Sequence, residues 1–322
     1  MANKKAIRDA YGETLAKIGE ENENIVVLDA DVASSSKSIL FGKKFPDRYF
    51  NVGIAEANMV GMAAGFAASG KIPFANTFAA FIMLRAGDPV RSLIAYTKLN
   101  VKLAGTYAGL SDSYDGASHH AITDIAFMRS LPNMAVLSVV DAVEAELATR
   151  AAAEFVGPVY LRLSRAEVPI IFDKSSYKFE MGKGVQLTEG SDVTIAATGY
   201  MVAKSLQAAE QLKTKGIMAR VINIHTIKPI DRELLIRCAQ ETGAVVTAEE
   251  HNVLGGLGSA VSEVLAEEYP VPIEFVGIRD TFAESGDYEL LLEKYGLSVD
   301  NIVNKVNKVM KRKNKQCGLL MK

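Results

Sequence analysis

The chain has 322 residues, 49% of them hydrophobic, which is enough for two domains that each bury a core. Lys and Arg number 36 against 38 Asp and Glu, so the overall charge does not favour a nucleic acid or an anionic membrane as partner. Cys238 and Cys317 are too few for a disulfide framework, and no apolar run approaches the about 20 residues of a membrane span. We therefore expect a cytoplasmic protein with a small substrate and with no nucleic-acid or membrane partner.

The first half of the chain alternates between helical and strand patterns. Apolar residues at 7, 11, 15 and 18 have the spacing of one helix face, and the apolar run 25–28 is typical of a buried strand. Apolar strands that alternate with helices predict a doubly wound α/β domain with a mostly parallel sheet covered on both faces. The further predicted elements are helix 54–69, strand 72–77, helix 81–97 interrupted near Gly87 and Pro89, strand 101–106, helix 119–130, strand 134–140, helix 142–155 and strand 158–163.

This alternation fails between 167 and 190, where Pro169, a Lys-Ser-Ser run and a hairpin-like segment at 177–184 occur. We expect a linker there, between a domain at 1–166 and a smaller α/β domain at 191–322. The second domain is also predicted to be doubly wound. Its predicted elements are strands 193–197, 219–224, 244–248 and 273–278, and helices 201–214, 231–242, 256–268 and a last one that ends near Lys311.

Glu56 is the first candidate for chemistry. It stands at the front of a predicted helix whose other residues are mostly Ala, Gly, Met and Val. A carboxylate among small apolar residues is costly to desolvate, which favours a functional role. A glutamate in the first turn of a helix is also favoured by the helix dipole alone. Position by itself leaves both interpretations open.

Other motifs along the chain decide between these interpretations of Glu56. Segment 53–65 is followed by Thr77-Phe78 and by Asp115-Gly116-x-x-His119. In this order and spacing the chain resembles the transketolase family, in particular its members that are split into two chains. The remaining matching segments are 7–13 (Ile-Arg-Asp-Ala-Tyr-Gly-Glu), 28–31 (Leu-Asp-Ala-Asp), 163–165 (Leu-Ser-Arg), 227–231 (Ile-Lys-Pro-Ile-Asp) and 247–251 (Thr-Ala-Glu-Glu-His).

The resemblance implies thiamine diphosphate as cofactor. Glu56 matches the catalytic glutamate that hydrogen-bonds N1′ of the aminopyrimidine, a role that requires a buried carboxylate able to share a proton. Phe78 and Phe81 match the aromatic residues that stack on the pyrimidine. Asp31 matches a cofactor-contacting aspartate at the end of the first strand. Without the resemblance, the two phenylalanines would be read as ordinary core.

The resemblance also implies sugar-phosphate binding. Arg8, Ser35 and Arg165 fall where transketolases hold the sugar phosphate, a task suited to guanidinium groups. Asp115 and His119 fall where the family contacts sugar hydroxyls near the reacting carbons, which makes His119 a second catalytic candidate. Alone, Arg8 would be a solvated helix residue and Asp115-Gly116 an ordinary turn.

Three positions depart from the family pattern. Tyr107 takes the place of a phosphate-binding histidine, while Tyr114 and His120 take the places of a glutamate and a glutamine. Cofactor activation is therefore expected to be intact and sugar recognition to be altered. Neutral variation at a tolerant rim is the alternative explanation.

The Gly-Asp-Gly motif that binds the diphosphate metal is not found in this sequence, so no metal ligand is assigned to this chain. We expect an N-terminal partner subunit to bind Mg²⁺, or Ca²⁺ or Mn²⁺, in an α2β2 heterotetramer. The glycine-rich turn at 255–258 lacks dinucleotide-binding spacing and is read as a tight helix start. His225 and His251 are given no role.

The predicted activity is transfer of a two-carbon ketol unit from a ketose phosphate to an aldose or aldose phosphate. A beta subunit of a 2-oxo-acid dehydrogenase is the nearest alternative, because it shares the domains and the glutamate. Arg8, Arg165 and the Asp115–His119 motif favour sugar phosphates over that substrate. A single-chain deoxyxylulose-phosphate synthase and a non-catalytic nucleotide-binding module are less favoured.

Overall fold

The computed structural model describes residues 4–320, with side chains as far as Asn314, so the Cys317 thiol lies outside the described side chains. Among residues 4–320, no helix is long and apolar enough to cross a bilayer. The strands are β1 Lys4–Ala6, β2 Ile25–Asp29, β3 Tyr49–Asn51, β4 Ile72–Phe78, β5 Lys102–Thr106, β6 Ala135–Ser138, β7 Val159–Leu163, β8 Glu167–Pro169, β9 Val185–Gln186, β10 Val193–Ala197, β11 Ala219–Asn223, β12 Thr226–Lys228, β13 Val245–Asn252 and β14 Ile273–Ile278.

Thirteen α-helices accompany these strands in the described residues, together with a 3₁₀ turn at Pro46–Arg48 and a π-helix at Val90–Ala95. The α-helices are α1 Ile7–Glu21, α2 Ala33–Ser36, α3 Ile39–Lys44, α4 Glu56–Ala68, α5 Ala79–Leu84, α6 Gly87–Pro89, α7 Asp124–Ser130, α8 Ala142–Glu154, α9 Met201–Lys213, α10 Arg232–Thr242, α11 Leu257–Glu268, α12 Tyr288–Lys294 and α13 Val299–Leu320.

The first sheet has seven strands in the order β12-β6-β7-β5-β4-β2-β3, and all neighbours are parallel except β12 and β6. Helices α1 and α8 cover one face through a core that includes Tyr11, Leu15 and Ala148. Helix α4 and the π-helix cover the other face, where Met59 and Ile94 share one core. Burial on both faces explains why the central strands are mostly apolar, and it confirms the doubly wound α/β prediction.

The second sheet has five strands in the order β14-β13-β10-β11-β9, parallel except for the β11–β9 pair. Helices α9 and α13 pack on one face, and α10 and α11 pack on the other. The predicted strands at 193–197 and 273–278 agree with the structure at both ends. The second doubly wound domain is therefore also confirmed.

Strand β12 links the two sheets. It follows β11 in the chain, yet it pairs with β6 of the first sheet, where Thr226 lies opposite Leu137. Lys228 Nζ donates to the carbonyl oxygens of Arg129 and Leu131, which fixes this edge. A three-residue strand directly before a proline is too short to show an alternation of apolar and polar residues. The sequence pattern therefore did not predict that β12 pairs with the first sheet.

Three predictions of elements were wrong in detail. The helix predicted from 119 begins at Asp124, because residues 107–123 fold into a loop with bends and turns. No hairpin forms at 177–184; instead, Gly182 and Gly184 donate their N–H groups to the side chains of Thr226 and Asp231. The last predicted helix is two helices, α12 and α13, and the second continues past Lys311.

Candidate active site

The candidate site lies at the carboxyl edge of four adjacent parallel strands. Strands β7, β5, β4 and β2 are neighbours in that order. Side chains that follow the carboxyl ends of parallel strands meet at one edge of the sheet. The residues at these ends are Asp31 after β2, Phe78 at the end of β4, Tyr107 after β5 and Arg165 after β7.

Glu56 is the first residue of α4 and is only 4% exposed. The chain reaches this position through a turn in which Gly53 has a φ of 73° and donates its N–H to Asn51 Oδ1. Arg85 Nη1 donates to Glu56 Oε1 at 2.8 Å, and the Arg85 side chain is 48% exposed. The carboxylate is thus buried and pairs with a cation that reaches the surface.

Aromatic rings form the wall beside Glu56. The Phe78 and Phe81 ring centroids are 5.6 Å apart, and the His119 ring meets Phe81 edge-on at 5.0 Å. Tyr107 stacks on Phe78 with a centroid distance of 4.3 Å. The predicted cofactor residues Phe78 and Phe81 therefore share a wall with the predicted sugar residues Tyr107 and His119.

The Arg85 guanidinium shows what this wall can bind. Its central carbon lies 3.8 Å from the Phe81 ring centroid while one nitrogen donates to Glu56. A planar N–H donor that stacks on an aromatic face and bonds a buried carboxylate has the features of an aminopyrimidine. Glu56 and Phe81 consequently fit the pyrimidine end of thiamine diphosphate, once Arg85 has moved away.

Two arginines flank the Tyr107 ring. The Arg8 and Arg165 guanidinium carbons lie 5.3 and 5.1 Å from its centroid. Arg8 Nη1 donates to Tyr107 Oη at 2.5 Å and to the Ser35 carbonyl oxygen at 3.1 Å. Ser35 thus contacts Arg8 through its backbone. Guanidinium groups placed in this way can bind a terminal anionic group of a sugar.

An acidic group stands beside Arg165. Asp112, Asp115 and His119 each place one side-chain N or O atom within 4.8 Å of the others. Asp112 is fully buried, and its Oδ1 is 3.5 Å from Arg165 Nη1. Burial, and to a smaller extent the neighbouring Asp115, raise the pKa of Asp112 to about 7. Among the described residues this is the one group of three such side chains close enough to share a metal ion. Because Asp115 and His119 are predicted sugar contacts, we assign no metal to this group.

The other predicted residues occupy different settings. Asp31 has a φ of 63° and accepts a hydrogen bond from Asn51 Nδ2 at 3.0 Å, on the β2 side of the site. Tyr114 is 66% exposed, whereas His120 is buried, and burial lowers the pKa of His120. Of the three departures from the family pattern, Tyr107 thus lies between the arginines and Tyr114 points to the surface.

The glycine-rich turn has no space for a dinucleotide. Glu249 accepts hydrogen bonds from the backbone N–H groups of Leu257 and Gly258 at 2.6 and 2.8 Å. A Cβ on Gly256 would lie 2.0 Å from Glu249 Oε2. The protein's own carboxylate therefore occupies the start of α11, where a pyrophosphate would have to bind. His225 and His251 are fully buried, and burial lowers the pKa of each to about 4.

Sequence reasoning missed Arg85 and Asp112. Arg85 lies four residues after Phe81, a spacing that places two side chains on one helix face. Asp112 lies three residues before Asp115, between Ser111 and Ser113. The sequence pattern did not indicate either residue, because Arg85 pairs with Glu56 and Asp112 pairs with Arg165, and both partners are distant in the sequence.

Apolar side chains are exposed around Glu56. Ile54, two residues before Glu56, is 74% exposed, and Leu84, next to Arg85, is 71% exposed. On the π-helix that packs with α4, Leu93 is also exposed, and so is Tyr96, which directly follows that helix. A cluster of exposed apolar residues is typical of a surface that binds another protein.

Known proteins share this architecture. The family model for the transketolase pyrimidine binding domain matches residues 3–170, and that for the transketolase C-terminal domain matches residues 182–302. A putative transketolase C-terminal section from Methanocaldococcus jannaschii is 45% identical over 310 residues, 96% of this chain and 97% of the relative. A 6-deoxy-6-sulfo-D-fructose transketolase subunit from a Clostridium species is 45% identical over 308 residues, 96% of this chain and 95% of its own length.

One solved structure is similar over nearly its whole length. A split-gene transketolase, an inactive beta4 tetramer, has a TM-score of 0.88 and 51% identity, and the match covers 96% of this chain and 99% of that one. The chain belongs to the transketolase family, whose members depend on thiamine diphosphate. It comprises the pyrimidine-binding and C-terminal domains, which split-gene transketolases carry on a chain of their own.

Proposed function

We propose that this chain is the C-terminal subunit of a two-chain transketolase, which transfers a two-carbon ketol unit from a ketose phosphate to an aldose or aldose phosphate. The observation that carries the proposal is the buried Glu56 carboxylate, which holds a planar N–H donor against Phe81. When bound, thiamine diphosphate supplies the nucleophilic carbon that carries the ketol unit.

On the cofactor side, Glu56 would exchange a proton with N1′ of the aminopyrimidine. Burial of Glu56 keeps water from competing for that hydrogen bond. Phe78 and Phe81 would stack on the ring, and Asp31 would contact the cofactor from the end of β2. Arg85 has to leave Glu56 for this to happen, and its half-exposed side chain can turn into solvent.

On the sugar side, Arg8 and Arg165 would bind the anionic end of the sugar, with Ser35 and Tyr107 beside them. Asp115 and His119 would contact hydroxyls near the reacting carbons, and His119 would move a proton at one of them. The contact of the His119 ring with Phe81 supports a place for His119 next to the cofactor side.

We further propose that the sugar differs from the common pentose and hexose phosphates. Tyr107 occupies the space between the two arginines, where a histidine is usual in the family, and the buried Asp112 offsets part of the charge of Arg165. A relative at 45% identity is a 6-deoxy-6-sulfo-D-fructose transketolase subunit. A sulfonate has one negative charge, so a site with partly offset arginines suits it or a sugar with a differently placed phosphate.

The other half of the site belongs to a partner in this proposal. The exposed Ile54 and Leu84 support docking of an N-terminal subunit at the Glu56 face. That subunit would bind the diphosphate through Mg²⁺, Ca²⁺ or Mn²⁺, in a cytoplasmic α2β2 heterotetramer. We assign residues 1–166 to the pyrimidine-binding domain, 167–190 to the linker and 191–322 to the C-terminal domain.

The proposal is tested by reconstitution. The purified chain and an N-terminal transketolase subunit from the same genome are assayed separately and together, with thiamine diphosphate, Mg²⁺ and a panel of ketose and aldose phosphates and a ketose sulfonate. Ketol transfer is expected in the mixture alone. Full activity of the chain without the partner would refute the split site. Preference for xylulose 5-phosphate with ribose 5-phosphate would refute the unusual sugar but not the reaction.

A further inference from the structure

Several of the groups predicted to recognise the sugar lie on one loop, residues 107–120, called here the sugar-facing loop. It carries Tyr107, Asp115 and His119, and also the buried Asp112. The loop is closed at its neck by two backbone hydrogen bonds between Gly109 and Ala121, at 3.0 and 3.1 Å. Its side chains are therefore positioned by whatever holds this neck.

A carboxylate of the C-terminal domain holds the neck. Glu250, on β13, is 3% exposed and accepts a hydrogen bond from the Leu110 backbone N–H at 2.6 Å through Oε1. Gly109 has a φ of 66°, and a Cβ there would lie 2.3 Å from the same oxygen. Tyr288 Oη donates to Glu250 Oε2 at 2.9 Å. Both carboxylate oxygens are thus used, one on the loop and one on the C-terminal domain.

Further contacts secure the neck and the middle of the loop. Arg162 Nη2 donates to the backbone oxygens of Glu250 and Ala121 at 2.9 and 3.1 Å. In the middle of the loop, the Gly286 N–H donates to the Ser113 carbonyl oxygen at 3.2 Å. Burial raises the pKa of Glu250 to about 7, while the Arg162 charge and the Leu110 and Tyr288 hydrogen bonds favour its ionised form.

We propose that Glu250 is a positioning residue for sugar recognition, which acts through the Leu110 backbone on the sugar-facing loop. The C-terminal domain then contributes to substrate affinity without contacting the substrate, and the cofactor side is left unchanged. This inference rests on the proposed ketol transfer. It predicts that loss of the Glu250 carboxylate raises the KM for the ketose substrate more than it changes kcat or cofactor affinity.

The experiment compares Glu250→Ala, Glu250→Gln and wild type in the reconstituted enzyme. Glu250→Ala should raise the KM for the ketose substrate about tenfold, because small misplacements of binding groups have large effects. The half-saturating thiamine diphosphate concentration should stay within about twofold of wild type, because Glu56, Phe78 and Phe81 are held by α4, β4 and α5 and not by the loop neck. Glu250→Gln keeps an acceptor for Leu110 and should restore most of the affinity.

Glu144→Ala is the matched control. Glu144 is also fully buried, its pKa is also raised to about 7 by burial, and it also bonds a backbone N–H and a tyrosine hydroxyl, those of Val140 and Tyr177. It does not lie on the sugar-facing loop. Glu144→Ala should lower the melting temperature as Glu250→Ala does, with the KM unchanged. Equal KM effects in both variants would mean a general loss of stability and would overturn the proposal.

Hydrogen exchange of the free chain gives a readout that does not depend on activity. Glu250→Ala should speed exchange of the Leu110 amide and of the loop around it, and Glu144→Ala should not. If Glu250→Ala does not fold, Tyr288→Phe, which removes one hydrogen bond to Glu250, should raise the KM about threefold. An unchanged KM in that variant would also overturn the proposal. Absence of ketol transfer in the wild type would instead refute the proposed function.

Discussion

The cofactor side and the sugar side of the candidate site are built differently. Glu56, Phe78 and Phe81 lie beside the half-exposed Arg85 and near the exposed Ile54 and Leu84. The sugar-facing loop, in contrast, is braced by the chain's own C-terminal domain. Under the proposed function, sugar recognition would be largely assembled within this chain, while docking of another chain would complete the cofactor side.

The Glu56 side of this comparison has the largest expected effect. Glu56→Gln removes the carboxylate that would share a proton with the cofactor, so turnover of the reconstituted enzyme should fall by about 100- to 10,000-fold. The KM for the sugar should change little, because the sugar side is separately braced. Steady-state kinetics measure both values, and size-exclusion chromatography checks assembly. Near-normal turnover would remove Glu56 from the mechanism.

Docking of the partner comes next in size. The double variant with Ile54→Asp and Leu84→Asp should bind the N-terminal subunit about 100-fold more weakly, because two exposed apolar side chains are replaced by charged ones. Isothermal titration calorimetry measures the affinity, and the melting temperature of the free chain should not change. Leu290→Asp, also at an exposed leucine but on α12 of the other domain, is the control. Equal loss in that variant would contradict docking at the Glu56 face.

On the sugar side, Tyr107→His tests the altered specificity. A shorter imidazole between Arg8 and Arg165 opens space and adds a donor for phosphate. The ratio of kcat/KM for xylulose 5-phosphate to that for the preferred ketose should rise about tenfold. Tyr114→Phe is the control, because the Tyr114 side chain points to the surface and should leave the ratio unchanged. An unaltered ratio in Tyr107→His would favour neutral variation at this position.

The smallest expected effect concerns pH. Burial and Asp115 raise the pKa of Asp112 to about 7, although the charges of Arg165 and Arg8 act in the opposite direction. His119 also faces Asp112. Above pH 7 the ionised carboxylate offsets Arg165, so the KM for a ketose sulfonate should rise about two- to threefold between pH 6 and 8. A sulfonate keeps its charge over this range. Asp112→Asn should show a flat profile, and an equal rise in that variant would exclude Asp112 as the cause.

The same group affects stability in a defined direction. The folded-state pKa of Asp112 is raised above the ordinary value of about 4, so folding is favoured by its protonated form. That contribution is fully present below pH about 4 and is lost as the pH rises through about 7. Asp112→Asn should therefore lose less stability than wild type between pH 5 and 8, which thermal unfolding at several pH values measures.

Much of the fold could be predicted from local pattern. Strands such as 193–197 and 273–278 are short, mostly apolar runs that begin after Asp192 or Pro272 and end before Thr198 or Arg279, so both ends are visible in the sequence. The sequence predicted a start of α7 at 119, which is too early. The helical spacing at 119–130 cannot reveal that residues 119–123 still belong to the loop that contains Gly116, at a φ of 78°. Strand β12 could not be assigned, because its pairing with β6 depends on how the two domains dock.

The sequence by itself determined the two doubly wound domains, the transketolase family and the position of Glu56 at a helix start, because periodicity and ordered motifs are properties of neighbouring residues. Only the tertiary structure decided which groups meet. Arg85 reaches Glu56 across 29 positions, and Glu250 holds Leu110 across 140. Hydrogen bonds and ion pairs between distant segments leave no periodic trace in a sequence. Packing within the first domain brings Arg85 to Glu56, and packing of the two domains brings Glu250 to Leu110.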